Sequence, residues 1–242
     1  MPQIRFQTAK SGEYLLNQLR KSGILHKVLH DGVDIILFED HQQRRVSVHF
    51  IDSSIETYEI YNTLKDNAAN DTATLFMLWS VMMLPEHGQT YHPEPWMAAL
   101  SRLYEGLIYG YDVIDGQAYL FPVYFRGESY LKQVEYGTTI PINQFEVVET
   151  QTVIKGERST WRIVTFAHTR SDATGKIVIN ANLLPHYERL GIPADADEDT
   201  VKRAYRLLAR RYHPDTNKSE NATEHMQEIN VAYKAILDAL QA

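Results

Sequence analysis

Cysteine is missing from all 242 residues. Its absence excludes disulfides, thiolate zinc sites and a thiol nucleophile, but it does not identify a compartment. Long apolar runs are missing too. The most apolar stretch, "ATLFMLWSVMMLP" (73–85), is too short to span a bilayer and ends at Pro85. It reads as a buried helix. The opening "MPQIRFQTAKSGEYLL" lacks a charged region followed by an apolar one, so no secretory signal is expected. Positive charge is in deficit: at a net −7, the whole-chain field favours neither nucleic acid nor an anionic membrane as a partner. P-loop, GxGxxG, GxSxG and HExxH patterns are absent. His87 and His92 in "HGQTYHP" have a spacing that suits neither helix nor strand, and read as loop histidines. The expectation is a cytoplasmic, non-membrane, non-enzymatic protein with no cofactor and no metal.

What is present is ordinary for a globular chain: 44% hydrophobic and 23% charged residues, enough to bury a core in one large or two small domains. Residues 11–22 read as a helix, with Ser11 as its cap and Gly23 just past its end. "ILHKVLH" and "VDIILFE" read as strands joined by a tight Asp31-Gly32 hairpin, and "RRVSVHFI" (44–51) as a third strand. Two or three helices follow between 54 and 106. Asp115-Gly116 joins "YGYDVI" to "QAYLFPVYF" as a second hairpin. A short, helix-compatible piece covers 128–136. "FEVVETQTVI", "STWRIVTFAH" and "GKIVIN" read as a meander over 144–180. Residues 1–180 are thus expected to form an α+β domain of antiparallel hairpins, a meander and several helices.

From Leu183 on, only helical spacing remains. On a helix of 100° per residue, Val201, Ala204, Tyr205, Leu208 and Tyr212 fall on one side. Lys202, Arg203, Arg206 and Arg210 fall within about 100° on the other. Asp197 suits the N-cap, and Pro214 stops the helix near His213. The cationic stripe leads straight into a turn carrying His213, Pro214 and Asp215. A second helix, roughly 220–240, presents Met226, Ile229, Tyr233, Ile236, Leu237 and Leu240 on one face. Joined by a short loop, the two form an antiparallel hairpin. Tyr187 and Leu190 of "HYERLGI" (186–192) plug one end.

This pattern resembles the J-domain of DnaJ-type co-chaperones over about a quarter of the chain. The shared features are Tyr187, Leu190 and Gly191; Ala204-Tyr205-Arg206; Tyr212-His213-Pro214-Asp215; and Ile229-Asn230 with Ala232-Tyr233. The resemblance implies an all-α J-domain over 183–242 with an HPD loop. It also implies a DnaK-type (70-kilodalton heat-shock) chaperone as partner, whose ATPase the module stimulates. The contact residues so implied are His213, Pro214 and Asp215, with Tyr205, Lys202, Arg203, Arg206 and Arg210.

Three positions depart from the pattern. Leu207 stands where many members carry a cation, Met226 replaces a phenylalanine, and a final short helix is not expected before Ala242. The Gly/Phe-rich linker and CxxC repeats of full DnaJ are absent, which implies a divergent member whose residues 1–180 bind a specific client. One rival reading concerns residues 1–180. A helix and three strands, with Asp34 opening the second, resemble the start of restriction-endonuclease-like nuclease cores. The third strand (Arg45-Val46-Ser47-Val48-His49-Phe50) has no acidic-x-Lys set to hold Mg²⁺. On that reading the nuclease is degenerate, and the J-like module is a regulatory or docking unit.

Overall fold

The structure is a computed structural model that describes residues 10–85, 88–114, 116–127, 130–154, 156–166, 183–192, 196–213, 217 and 222–240. It has a sheet-rich α+β region followed by a helical module, as the sequence leads one to expect. In chain order the first region comprises α1 (Ser11–Lys21), β1 (Leu25–Asp31), β2 (Ile35–Asp40), β3 (Arg45–Ile51), α2 (Thr57–Ala69), β4 (Thr72–Trp79) and α3 (Ser80–Met83). Next come β5 (Thr90–Tyr91), α4 (Pro95–Leu103), β6 (Leu107–Ile114), β7 (Gln117–Arg126), β8 (Lys132–Tyr136), a 3₁₀ turn (Ile142–Gln144), β9 (Phe145–Ile154) and β10 (Glu157–Phe166). The module comprises α5 (Leu184–Leu190), α6 (Glu198–Arg211) and α7 (Ala222–Leu240).

The ten strands among the described residues join one sheet, in the order β1-β2-β3-β4-β6-β7-β8-β5, with β10 branching from β4 to β9. The β1–β2, β2–β3, β6–β7, β7–β8 and β9–β10 pairs are antiparallel, whereas β4 runs parallel to β3, β6 and β10. The expected hairpins and the first two meander strands therefore stand; "GKIVIN" lies outside the described residues.

Four local expectations change. The run 73–85 is not a helix: its first part is the central strand β4, buried along nearly its whole length, and only Ser80–Met83 turn helically. An unbroken apolar run fits a strand covered on both faces as well as it fits a buried helix. Asp71, at φ 52°, ends α2 and redirects the chain into that strand. Within 128–136, β8 is a strand rather than a helix; only Val134 in it is buried, so no periodicity marked either form. The β1–β2 turn closes through the Gly32 N–H donating to the Ile35 carbonyl at 2.9 Å, and Gly32 does not adopt positive φ. Lys10 rather than Ser11 takes the cap position of α1, because Ser11 is buried inside the first turn.

The two regions have separate cores. Leu15, Leu16 and Leu19 of α1, Ile60 and Leu64 of α2 and Leu100 of α4 close over β3, β4, β6 and β7 in one apolar cluster. Tyr187, Leu190, Val201, Ala204, Ile229, Ala232 and Ile236 form the other. Met226 and Leu240, expected in the second, lie outside it, and Leu240 is exposed.

Candidate chaperone-docking face and its contact with the sheet

The α6 helix begins with Asp197, whose carboxylate accepts the Thr200 N–H at 2.8 Å, and Glu198 and Asp199 occupy the first turn. It ends at Arg211 and Tyr212. Immediately beyond, the Asn217 amide N–H donates to the His213 carbonyl at 2.8 Å, and its side-chain Nδ2 donates to the Arg211 carbonyl at 3.0 Å. Asn217 is thereby tied back to the helix end, and His213, just past it, is exposed. Pro214 and Asp215 lie outside the described residues.

Ring contacts fix how α6 lies on α7. Tyr205 stacks on Tyr233 at 4.0 Å and donates its hydroxyl to Asn230 Oδ1 at 3.0 Å; Tyr212 meets His225 at 4.9 Å. Earlier residues of α6 meet later ones of α7, so the hairpin is antiparallel. Arg189 of α5 pairs with Glu228 of α7 at 2.8 Å and ties the third helix in place. Gly191, at φ 65°, adopts the left-handed geometry that ends α5. Tyr205 thus points between helices rather than out from the basic face.

The four cations do not share one solvent-facing stripe. Lys202 is partly exposed and pairs with Glu198 one turn earlier at 2.7 Å, and Arg206 follows it four residues on. Arg203 is turned the other way and is only 1% exposed. Its Nε donates to Thr139 Oγ1 at 3.3 Å, and its guanidinium lies 4.0 Å from the centre of the Phe121 ring on β7. Gly110, paired with Phe121 across β6–β7, makes room for that ring: a Cβ at 110 would stand 2.6 Å from it. The Thr200 hydroxyl donates to Thr139 Oγ1 at 3.0 Å and accepts the Thr139 N–H at 3.1 Å. Arg210 approaches Asp112 of β6 at 4.0 Å. The expectation that Arg203 joins an exposed face is corrected. A helical wheel treats the module as if it stood alone, and the sheet covers this side.

Burial sets the electrostatics of the contact. It lowers the Arg203 pKa to about 10, with Asp112 acting in the opposite direction. Burial raises the Asp112 pKa, and Arg210 and then Arg203 pull it back down. Ser80 Oγ, Asp112 Oδ2 and Arg203 Nη2 are buried and have no hydrogen-bond partner among the described residues. Beside them a cleft of about 420 Å³ runs between the domains, with Ser80 and Tyr136 on the sheet side and Arg203, Leu207 and Arg211 on the module side.

In the sheet region, the nuclease-like reading finds Ser47 and His49 on β3 and an exposed Asp34. Among the described residues, no group of three or more His, Asp or Glu is placed to hold a metal ion. No helix among them is long and apolar enough to cross a membrane.

Comparison with known proteins bears on the module. Residues 185–241 match the family model of the DnaJ domain. This module is a J-domain. The DnaJ 1 chaperone protein of Synechocystis sp. is 55% identical over 51 residues, 21% of this chain and 14% of that relative. The DnaJ chaperone proteins of Streptococcus thermophilus (48% over 58 residues, 24% of this chain, 15% of the relative) and Dictyoglomus thermophilum (51% over 53 residues, 22% and 14%) match the same way. The chain thus spans about a seventh of the length of these curated relatives. No solved structure matches.

Proposed function

We propose that the chain is a co-chaperone whose J-domain binds a DnaK-type chaperone and stimulates its ATP hydrolysis, while the sheet domain directs that chaperone to a specific client. One observation carries this reading: a J-domain hairpin in which a cationic helix ends directly at a solvent-exposed His213. His213, Pro214 and Asp215 are assigned the central contact. Lys202 and Arg206 supply the flanking charge, joined by Arg203 and Arg210 when the sheet domain does not cover them. Tyr205 holds α6 against α7 and so keeps that face in register. The module performs no chemistry in this scheme; its binding energy favours the hydrolysing conformer of its partner.

Single-turnover ATP hydrolysis by the host's DnaK-type chaperone tests the reading. The full chain should accelerate it, and His213→Gln should return the rate to that of the chaperone alone without unfolding the module. Equal acceleration by wild type and His213→Gln would overturn the assignment.

A further inference from the structure

Thr200, Arg203, Leu207 and Arg210 recur along α6 at intervals of three, four and three, so they share one side of the helix. That side meets the sheet domain through Thr139, Phe121 and Asp112, with Leu207 in the wall of the intervening cleft. Leu207 is also the position at which the J-domain resemblance leads one to expect a cation. An apolar side chain suits a wall shared with Tyr136 better than it suits an electrostatic face turned to solvent.

We propose that Thr139, Phe121 and Asp112 form an intramolecular docking site for the cationic side of α6, so that the sheet domain and a DnaK-type chaperone compete for Arg203 and Arg210. This rests on the co-chaperone reading above. The closed state is specific: it holds Arg203 by a hydrogen bond and an aromatic face, and Thr200 by a reciprocal pair of hydrogen bonds. It is also reversible by construction. The two apolar cores are separate clusters, so parting the domains breaks neither. The orphaned Arg203 Nη2, Asp112 Oδ2 and Ser80 Oγ, which solvent would satisfy, oppose closure. His213 remains exposed in the closed state, so what is withheld is the charged flank of the site and not the turn itself. A chaperone that binds the open state shifts the population toward it.

The cysteine-free sequence makes the test clean. Thr139 Oγ1 and Thr200 Oγ1 lie 3.0 Å apart, so Thr139→Cys with Thr200→Cys places the only two thiols of the full chain in reach of each other. Mild oxidation should close a disulfide, detected by mass and by reversal with dithiothreitol. The oxidised chain should stimulate single-turnover ATP hydrolysis about tenfold less than the reduced chain. Thr139→Arg, which sets a like charge against Arg203, should stimulate more than wild type. Failure of the disulfide to form in the folded chain would overturn the docked state. A disulfide that forms but leaves stimulation equal in both redox states would overturn the competition. If the disulfide forms but neither wild type, the reduced pair nor Thr139→Arg stimulates at all, the co-chaperone reading falls and the competition with it, while the contact stands.

Discussion

Asp40 and Asp112 are both buried carboxylates of the sheet domain, at 2% and 1% exposure, yet they are compensated in opposite ways. Asp40 is satisfied within its own turn. Its Oδ1 accepts the Gln42 and Arg44 amides at 2.9 Å, and its Oδ2 accepts Arg44 Nε at 2.7 Å. Asp112 accepts the amide of Val113 at 2.9 Å and a hydrogen bond from the Trp79 side chain, but the charges that pull on it belong to the J-domain, and its Oδ2 has no partner among the described residues. A charge that a domain buries for its own stability is neutralised locally, because the domain must fold with it already paired. The cations that act on Asp112 are supplied across the contact instead.

Unfolding one region alone should leave the other intact. Ile236 is fully buried in the small J-domain core. Ile236→Ala should remove about 3 kcal/mol from the module, the transfer and cavity cost of a truncated core side chain. Amide exchange should accelerate throughout α5, α6 and α7 and leave β3 and β4 unchanged. Equal acceleration in β3 and β4 would mean that the two cores form one cooperative unit, and the contact could not then be a separable dock.

How much of this could be read in the sequence divides along the same boundary. The J-domain was legible because its information is local: the 3- and 4-residue spacing of Val201, Ala204, Tyr205 and Leu208, the cap at Asp197 and the stop at Pro214 all act within one helical hairpin. Residues 72–79 were not, because burial on both faces removes the alternation by which a strand is recognised. The assembly of β4 between β3, β6 and β10 is fixed by residues far away in the chain. The split of the cations was hidden for a related reason. Lys202 and Arg203 are neighbours in sequence, but only Arg203 falls on the side carrying Thr200 and Arg210, and nothing local says that a sheet covers that side. Leu207, interrupting the cationic pattern there, was the one available signal, and an apolar residue in place of a cation does not by itself say what covers it.

A second, smaller effect compares the two carboxylates directly. Asp40→Asn should destabilise the sheet domain by about 2 kcal/mol in denaturant unfolding, since a hydrogen-bonded charge pair with Arg44 is broken in a buried turn. Asp112→Asn should leave that transition within roughly 1 kcal/mol of wild type, because relief from burying a charge offsets the lost attraction of the arginines. Its effect should appear at the boundary instead, as faster exchange of the Thr139 amide that the Thr200 hydroxyl protects. A large loss of sheet stability from Asp112→Asn would make Asp112 a structural charge like Asp40 and remove the contrast.

The smallest expected effect tests whether the interior of the sheet domain is as self-contained as Asp40 suggests. His49 Nε2 lies 2.9 Å from Ser47 Oγ and 3.3 Å from Asn67 Nδ2, whose amide also donates to Thr74 Oγ1 at 2.9 Å. With an amide donor facing it, Nε2 accepts and the ring is neutral. Burial lowers its pKa from 6.5 to about 4. The unfolded chain therefore binds a proton that the folded chain refuses between those two values. The stabilisation is complete above pH 6.5 and is lost as pH falls towards 4, by about 1.4 kcal/mol per pH unit inside that window. Denaturant unfolding of the sheet domain at pH 6.5 and pH 5.5 measures it, with His49→Gln as the control that should remove this increment. An increment that persists in His49→Gln would place the acid sensitivity elsewhere. If it vanished only when Thr139→Arg had also opened the boundary, the polar interior would depend on the J-domain, and the distinction between locally satisfied and shared charge would no longer hold.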